Sequence, residues 1–312
     1  MDKNDRNSHQ RLNPPIIFSF THLPKKISQM LINSLIVLFL LFASIPNHTN
    51  PVNAQQPTDN TVFLPLVYQN SAGTCPEGPD QWLCLFNYYR ENAGLNPVIS
   101  NADYNYGLSL HINYMLLNPL QADMHKEYPN SPGYTPEGAD AGGQSNMIKL
   151  IGGTNLTVKD SIDLWMFTEK HRYHMLHPDL MQSGFNLNCD RSNCFSGLNI
   201  LQGLSLQNLK RVVVYPGHDQ VNIPAKAYPI SMGFYPSILF NEITVSKAIL
   251  YNSSNNPVPG TISIPEMNDY FKQVIFKPTS SLIPNHQYRM EMIVTAGGQT
   301  YSDVWYFTTG FN

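Results

Sequence analysis

The chain has 312 residues, longer than one typical domain, and 42% of them are apolar, enough to bury real cores rather than remain disordered. Only 13% are charged, against the ~25% usual for soluble domains. The net charge is −3 with no long basic run, which argues against nucleic acid as a partner.

In chain order, Lys25 and Lys26 precede an uncharged run of 13 residues from Leu31 to Ala43. That run is shorter than the ~20 residues of a membrane-spanning helix and suits the apolar core of a signal peptide. Val52, Asn53 and Ala54 follow at the positions a signal peptidase reads, so residues 1–54 are expected to be a signal peptide cleaved after Ala54. An uncleaved membrane anchor is the alternative, and either way the bulk of the chain is exported. Residues 55–74 are polar, with one apolar island from Val62 to Tyr68 that could form an edge strand, and read as a linker.

Four cysteines fit an oxidising compartment. Pairing of Cys75 with Cys84 and of Cys189 with Cys194 is the simplest of three connectivities. A zinc site is the competing reading, though no CxxC is present.

From Pro79 the pattern becomes helical. Trp82, Leu85, Phe86 and Tyr89 recur at three- and four-residue spacings, and Gly94 and Pro97 end the segment. A second helix is predicted from Asn101 to Leu117, with Tyr104, Leu108, Ile112 and Met115 on one face. Glycine and proline dominate residues 130–153, which read as an ordered loop with one helical turn at Ser145 to Leu150. A third helix is predicted from Thr157 to Met175, striped by Val158, Ile162, Trp165 and Met166 and closed by His177-Pro178. Strand-like pieces surround Cys189 and Cys194. Beyond Arg211, short strands alternate with turns: Arg211–Tyr215, Ile230–Phe234, Ile243–Tyr251, Thr261–Ile264, Gln273–Pro278, Gln287–Thr295 and Val304–Thr309. This spacing predicts a β-sandwich.

Polar chemistry concentrates between Met124 and His177, where His125, Glu127, Glu137, Glu169, His171, His174 and His177 occur. Two imidazoles around a carboxylate-bearing, glycine-rich loop can bind Zn²⁺ with an open position, or polarise a water without metal. Alternatively the histidines hydrogen-bond Glu137 and merely hold the loop. Glu127 could be a further ligand, although a solvated loop carboxylate is the plainer reading. His111 reads as a helix residue, His174 and His177 as variable positions without a role, and Trp165 as core. No GxSxG, phosphate loop or dinucleotide fingerprint occurs.

Residues 75–206 resemble the CAP superfamily of cysteine-rich secretory, antigen 5 and pathogenesis-related proteins. The resemblance rests on Leu85 to Arg90 with Gly94-Leu95-Asn96-Pro97-Val98, on His125, and on Gly133-Tyr134-Thr135-Pro136-Glu137-Gly138 with Ala141-Gly142. Trp165-Met166 followed by His171-Arg172, Met175-Leu176 and Pro178, then Ser183-Gly184-Phe185, is its most specific part. Residues 211–310 resemble bacterial Ig-like modules of secreted surface proteins, through Tyr215-Pro216-Gly217, Phe276-Lys277-Pro278, Leu282 to Asn285, Tyr288 and the terminal Trp305 to Gly310. The implied fold class is α+β: a CAP-type α-β-α sandwich followed by an all-β Ig-like sandwich.

The CAP resemblance implies a cleft in which His125, Glu137 and His171 match the family's two histidines and first glutamate. Glu169 lies near the place of its second, and Glu127 is close by. The leading expectation is an extracellular, monomeric binding protein. Its cleft would hold a divalent metal such as zinc, through His125 and His171, or a small-molecule, lipid or peptide ligand. The Ig-like module would then serve as a spacer or as an adhesion element toward the cell surface or envelope. A metal-assisted hydrolase of peptides or envelope material, with Glu137 or Glu127 as general base, is the second reading. A structural surface protein with a vestigial cleft is the third.

Overall fold

The computed structural model describes residues 75–205, 211–240, 242–265 and 271–311. The expected signal peptide and linker lie outside them. No helix among the described residues is long and apolar enough to cross a membrane.

Helices α1 (Gln81–Asn92) and α2 (Ala102–Leu117) stand where the apolar spacing predicts them. Asn101 caps α2 by accepting from the N–H groups of Asp103 and Tyr104. Three local expectations are corrected. Helix α3 (Pro136–Gly143) forms inside the region read as loop, because Pro136 opens it and Thr135 caps it by accepting from Gly138 N–H. Ser145 to Ile151 is not a helical turn but strand β2, drawn into antiparallel pairing along Asn193–Asn199. The predicted third helix is two, α4 (Val158–Phe167) and α5 (Glu169–Met175). They break at Thr168, whose backbone is extended (φ −92°, ψ 125°) and whose hydroxyl reaches back to the Leu164 and Trp165 carbonyls.

Two-residue strands β1 (Ile99–Ser100) and β3 (Gln182–Ser183) pair in parallel. Strand β2, β4 (Phe185–Cys189) and β5 (Asn193–Asn199) form a sheet in the order β2-β5-β4. Alternate residues of each strand serve opposite layers. Met147 and Phe195 pack with Leu108, Ile112 and Ala141 of α2 and α3, whereas Ile148 and Leu198 join Trp82, Phe86, Ile162 and Trp165 of α1 and α4. Gly197 lets α2 approach, since a Cβ there would meet Leu108 Cδ2 at 2.6 Å. The result is the expected α-β-α sandwich. Both expected disulfides are present, Cys75–Cys84 and Cys189–Cys194.

The C-terminal region is a β-sandwich. One sheet holds β6 (Arg211–Tyr215), β8 (Ile230–Tyr235), β11 (Gly260–Ser263) and β12 (Gln273–Pro278), in the order β11-β12-β8-β6. The other holds β7 (Gln220–Ile223), β9 (Ile243–Asn252), β10 (Pro257–Val258), β13 (Gln287–Ala296) and β14 (Gln299–Thr309), in the order β10-β9-β13-β14-β7.

All six residues of β8 are buried, so both of its faces are covered. Phe234 packs on Phe240 and Tyr301 within the sandwich. Tyr235 points the other way and stacks on Tyr173 of α5 at 4.4 Å. Tyr215 likewise meets Tyr89 of α1 and lies under the Arg172 guanidinium, 5.1 Å from its ring centre. One apolar core therefore runs through both regions. Arg90, fully buried, donates to the carbonyls of Asn96, Met175, His177 and Leu180 and so pins the chain where it leaves α5. Burial lowers its pKa to about 10, which still leaves it charged at neutral pH.

Candidate functional site

His125 and His171 come together as expected, on the wall of an open pocket of about 360 Å³. The remaining lining is Gly143, Ser145, Asn146, Lys170, His174, Ile200, Leu201 and Phe271. The loop after α2 carries His125, whose backbone N–H donates to Asp123 Oδ1. Its Nδ1 lies 3.1 Å from the Gly142 carbonyl, an acceptor only, so Nδ1 bears the proton and Nε2 the lone pair. The break at Thr168 turns α5 and sets His171. Its Nδ1 lies 2.7 Å from Thr168 Oγ1, and Asn146 Nδ2 donates to its carbonyl. The same hydroxyl also lies 3.1 and 3.2 Å from the Leu164 and Trp165 carbonyls, so one Thr168 oxygen ties the His171 ring to the end of α4.

A buried pair supports this arrangement. His111 and Glu127 have side chains with no solvent exposure, with Nδ1 and Oε1 2.9 Å apart. His111 Nε2 faces the Met124 carbonyl at 2.9 Å, and Glu127 Oε2 accepts from Thr135 N–H. A carbonyl can only accept, so Nε2 is protonated, and one further proton is shared between Nδ1 and Oε1. The pair is neutral overall, whichever atom holds that proton. Gly142 packs flat on the imidazole, where a Cβ would lie 2.3 Å from His111 Cε1. Thus the glycine whose carbonyl orients His125 is itself seated on His111.

The expected carboxylates lie elsewhere. Glu127 is neither a solvated loop residue nor a pocket residue, because both of its oxygens are engaged in the interior. Glu137 is exposed on the first turn of α3, where a carboxylate favours the helix N-terminus, and does not line the pocket. Glu169 is half-buried at the start of α5, with its carbonyl accepting from Gln273 Nε2, and is also outside the lining. Ser145 and Asn146 occupy the wall instead. They were missed because Ser145 to Leu150 read as a helical turn rather than as a strand entering the site. His174, which the sequence left without a role, lines the pocket and meets Phe271 edge-on at 4.5 Å. No periodic signal could have found Phe271, which arrives from the β-sandwich.

The donor set decides how a zinc ion would fit. Among the described residues, no three His, Cys, Asp or Glu side chains gather as ligands. His125 and His171 present two imidazoles without a carboxylate, one ligand short of the three a catalytic zinc site uses.

Two of the pocket imidazoles, His171 and His174, are pushed toward the uncharged form. Burial first, then His125 and Lys170, lowers the pKa of His171. Burial, then His177 and His171, brings that of His174 down to about 4.

No curated protein matches the chain. Among solved structures, similar ones include CopC from Methylosinus trichosporium OB3b, at 12% identity and a TM-score of 0.26, covering 33% of this chain and 94% of that one. Another is PcoC, a methionine-rich copper resistance protein from Escherichia coli, at 17% identity and a TM-score of 0.24, covering 31% and 92%. Likenesses this partial carry no functional argument. The model of the CAP family, the cysteine-rich secretory protein family, matches residues 83–202. That span includes α1 from its third residue, α2 to α5, the three-stranded sheet and every pocket residue but Phe271. Residues 83–202 are a CAP domain of the cysteine-rich secretory protein family, followed by a β-sandwich.

Proposed function

We propose that this protein binds a small organic ligand in the pocket of its CAP domain, outside the cytosol, without turning it over. One observation carries the reading: the pocket combines polar and apolar lining residues, and Phe271 of the second sandwich closes it together with the CAP domain. His125, Ser145, Asn146 and His171 offer fixed hydrogen-bonding groups, while Ile200, Leu201 and Phe271 offer apolar surface. Its volume of about 360 Å³ falls in the range of small-molecule sites. No described carboxylate lines it to act as a general base, which favours binding over hydrolysis. The two disulfides accord with an oxidising compartment. In this reading the β-sandwich is a wall of the site rather than a spacer.

Calorimetric titration with naphthyl and octyl amphiphiles tests the proposal. Binding near one equivalent is expected, weakened about tenfold or more by Phe271→Ala, since truncating a buried aromatic contact commonly costs over 1 kcal/mol. The exposed Phe311→Ala is the control and should change nothing. Binding that ignores Phe271→Ala would sink the assignment.

A further inference from the structure

The pocket is one-sided in charge. Four of its lining residues, His125, Lys170, His171 and His174, are cationic or can become so, and none of the described lining residues is acidic. The carboxylates on the surrounding elements are occupied or outside the lining. Glu127 is neutralised against His111, Asp123 pairs with Lys126 at 3.2 Å, and Asp140 accepts from Gln202 Nε2 at 2.5 Å. Glu137 on α3 and Glu169 on α5 lie outside the lining, and the sandwich contributes the uncharged Phe271. We infer that the ligand of this pocket is an anionic amphiphile, an acidic head group set among Lys170, His125 and His171 with its apolar body against Ile200, Leu201 and Phe271. This rests on the binding reading above and adds the chemical class of the ligand.

Proton bookkeeping follows from the hydrogen bonds. His125 uses Nδ1–H on the Gly142 carbonyl, which leaves its Nε2 unprotonated. A lone pair repels an anionic oxygen, so the anion is held well only when Nε2 takes up a proton. Burial first, then the positive charges of His125 and Lys170, opposes protonation of His171. A bound anion reverses that field. Ligand binding therefore draws in a proton, and affinity rises as pH falls through the histidine range.

Three probes with one ring system separate charge from shape: 1-naphthalenesulfonate, anionic at every pH used, neutral 1-naphthalenemethanol, and the 1-naphthylmethylammonium cation. Each is titrated calorimetrically into the protein at pH 8 and pH 5.5, in two buffers of different ionisation enthalpy to count protons. The sulfonate is expected to bind about tenfold tighter than the alcohol at pH 5.5, and to tighten about fivefold from pH 8 with proton uptake. Lys170→Gln should weaken the sulfonate alone, about threefold, the size of one partly exposed charge contact. Equal affinity for sulfonate and alcohol, or sulfonate binding without pH dependence or proton uptake, overturns the anion assignment. If Phe271→Ala still weakens all three probes about tenfold or more, the pocket reading survives that result. If none of the three binds, both readings fall.

Discussion

Tyr235 donates its hydroxyl to the Tyr173 carbonyl at 2.8 Å, while Tyr173 donates its own to the backbone carbonyl of Phe234 at 2.6 Å. The two rings stack between these bonds at 4.4 Å. A strand of the sandwich and a helix of the CAP domain are thus joined by two buried hydrogen bonds and an aromatic contact. Desolvation by burial raises both phenol pKa values, so both hydroxyls remain donors at any ordinary pH.

Tyr235→Phe keeps the ring and removes one donor, leaving the buried Tyr173 carbonyl short of a partner. The expected loss is about 1–3 kcal/mol. Urea unfolding followed by far-UV and aromatic signals should show one shared transition for the parent protein. Separate transitions for helix and sheet would contradict a continuous core.

Arg172 donates Nη1–H to the carbonyls of Met166 and Pro229 and lies over Tyr215 and Tyr228. Its Nε and Nη2 have no hydrogen-bond partner among the described residues, and the aromatic faces offset their burial. Arg172→Ala should cost about 3 kcal/mol, and Arg172→Lys should recover little of it, because an ammonium cannot spread over both rings. Chemical denaturation measures both, and full rescue by lysine would refute the stacking argument.

Glu127→Gln is expected to be mild, under about 1 kcal/mol, because the amide can accept from Thr135 N–H and donate to His111 Nδ1. Glu127→Ala strands both partners in the interior and should cost about 3 kcal/mol. Thermal unfolding separates the two. Equal losses would mean that the carboxylate charge, rather than its hydrogen bonds, holds the loop.

Acid should destabilise the protein through the seam histidines. Burial first lowers His174 and His177 to about 4, and His177 Nδ1 accepts from Asp179 N–H, which only the unprotonated ring can do. In the unfolded chain both titrate near 6.5. Their contribution is present above that value and is lost as pH falls from about 6.5 toward 4, by roughly 3 kcal/mol for each. The His174→Gln/His177→Gln variant should show a shallower fall in Tm across this window, and an unchanged slope would remove these residues from the account.

Much was legible because it is written in local spacing. The stripes of α1, α2 and α4, the alternation of the C-terminal strands and the short separations within each cysteine pair are properties of neighbouring residues. So was the pairing of Trp165-Met166 with His171-Arg172, which placed the second pocket histidine. What the sequence did not reveal depends on contacts between distant segments. Ser145 to Leu150 fits a helical turn until β5 pairs with it, and Thr157 to Met175 reads as one helix until the Thr168 hydroxyl turns back on α4.

The composition of the site was decided the same way. Glu127 and Glu137 stand close to His125 in sequence, yet one is buried against His111 and the other is exposed on α3. Phe271, about a hundred residues beyond His171, completes the wall. The chain alone determined the two sandwiches, both disulfides and two of the three pocket histidines, His125 and His171. Only the tertiary structure decided that the pocket lacks a described carboxylate and shares its wall with the second sandwich. Sequence periodicity reports which face of an element is buried, whereas the neighbours it meets there depend on packing between elements far apart in the chain.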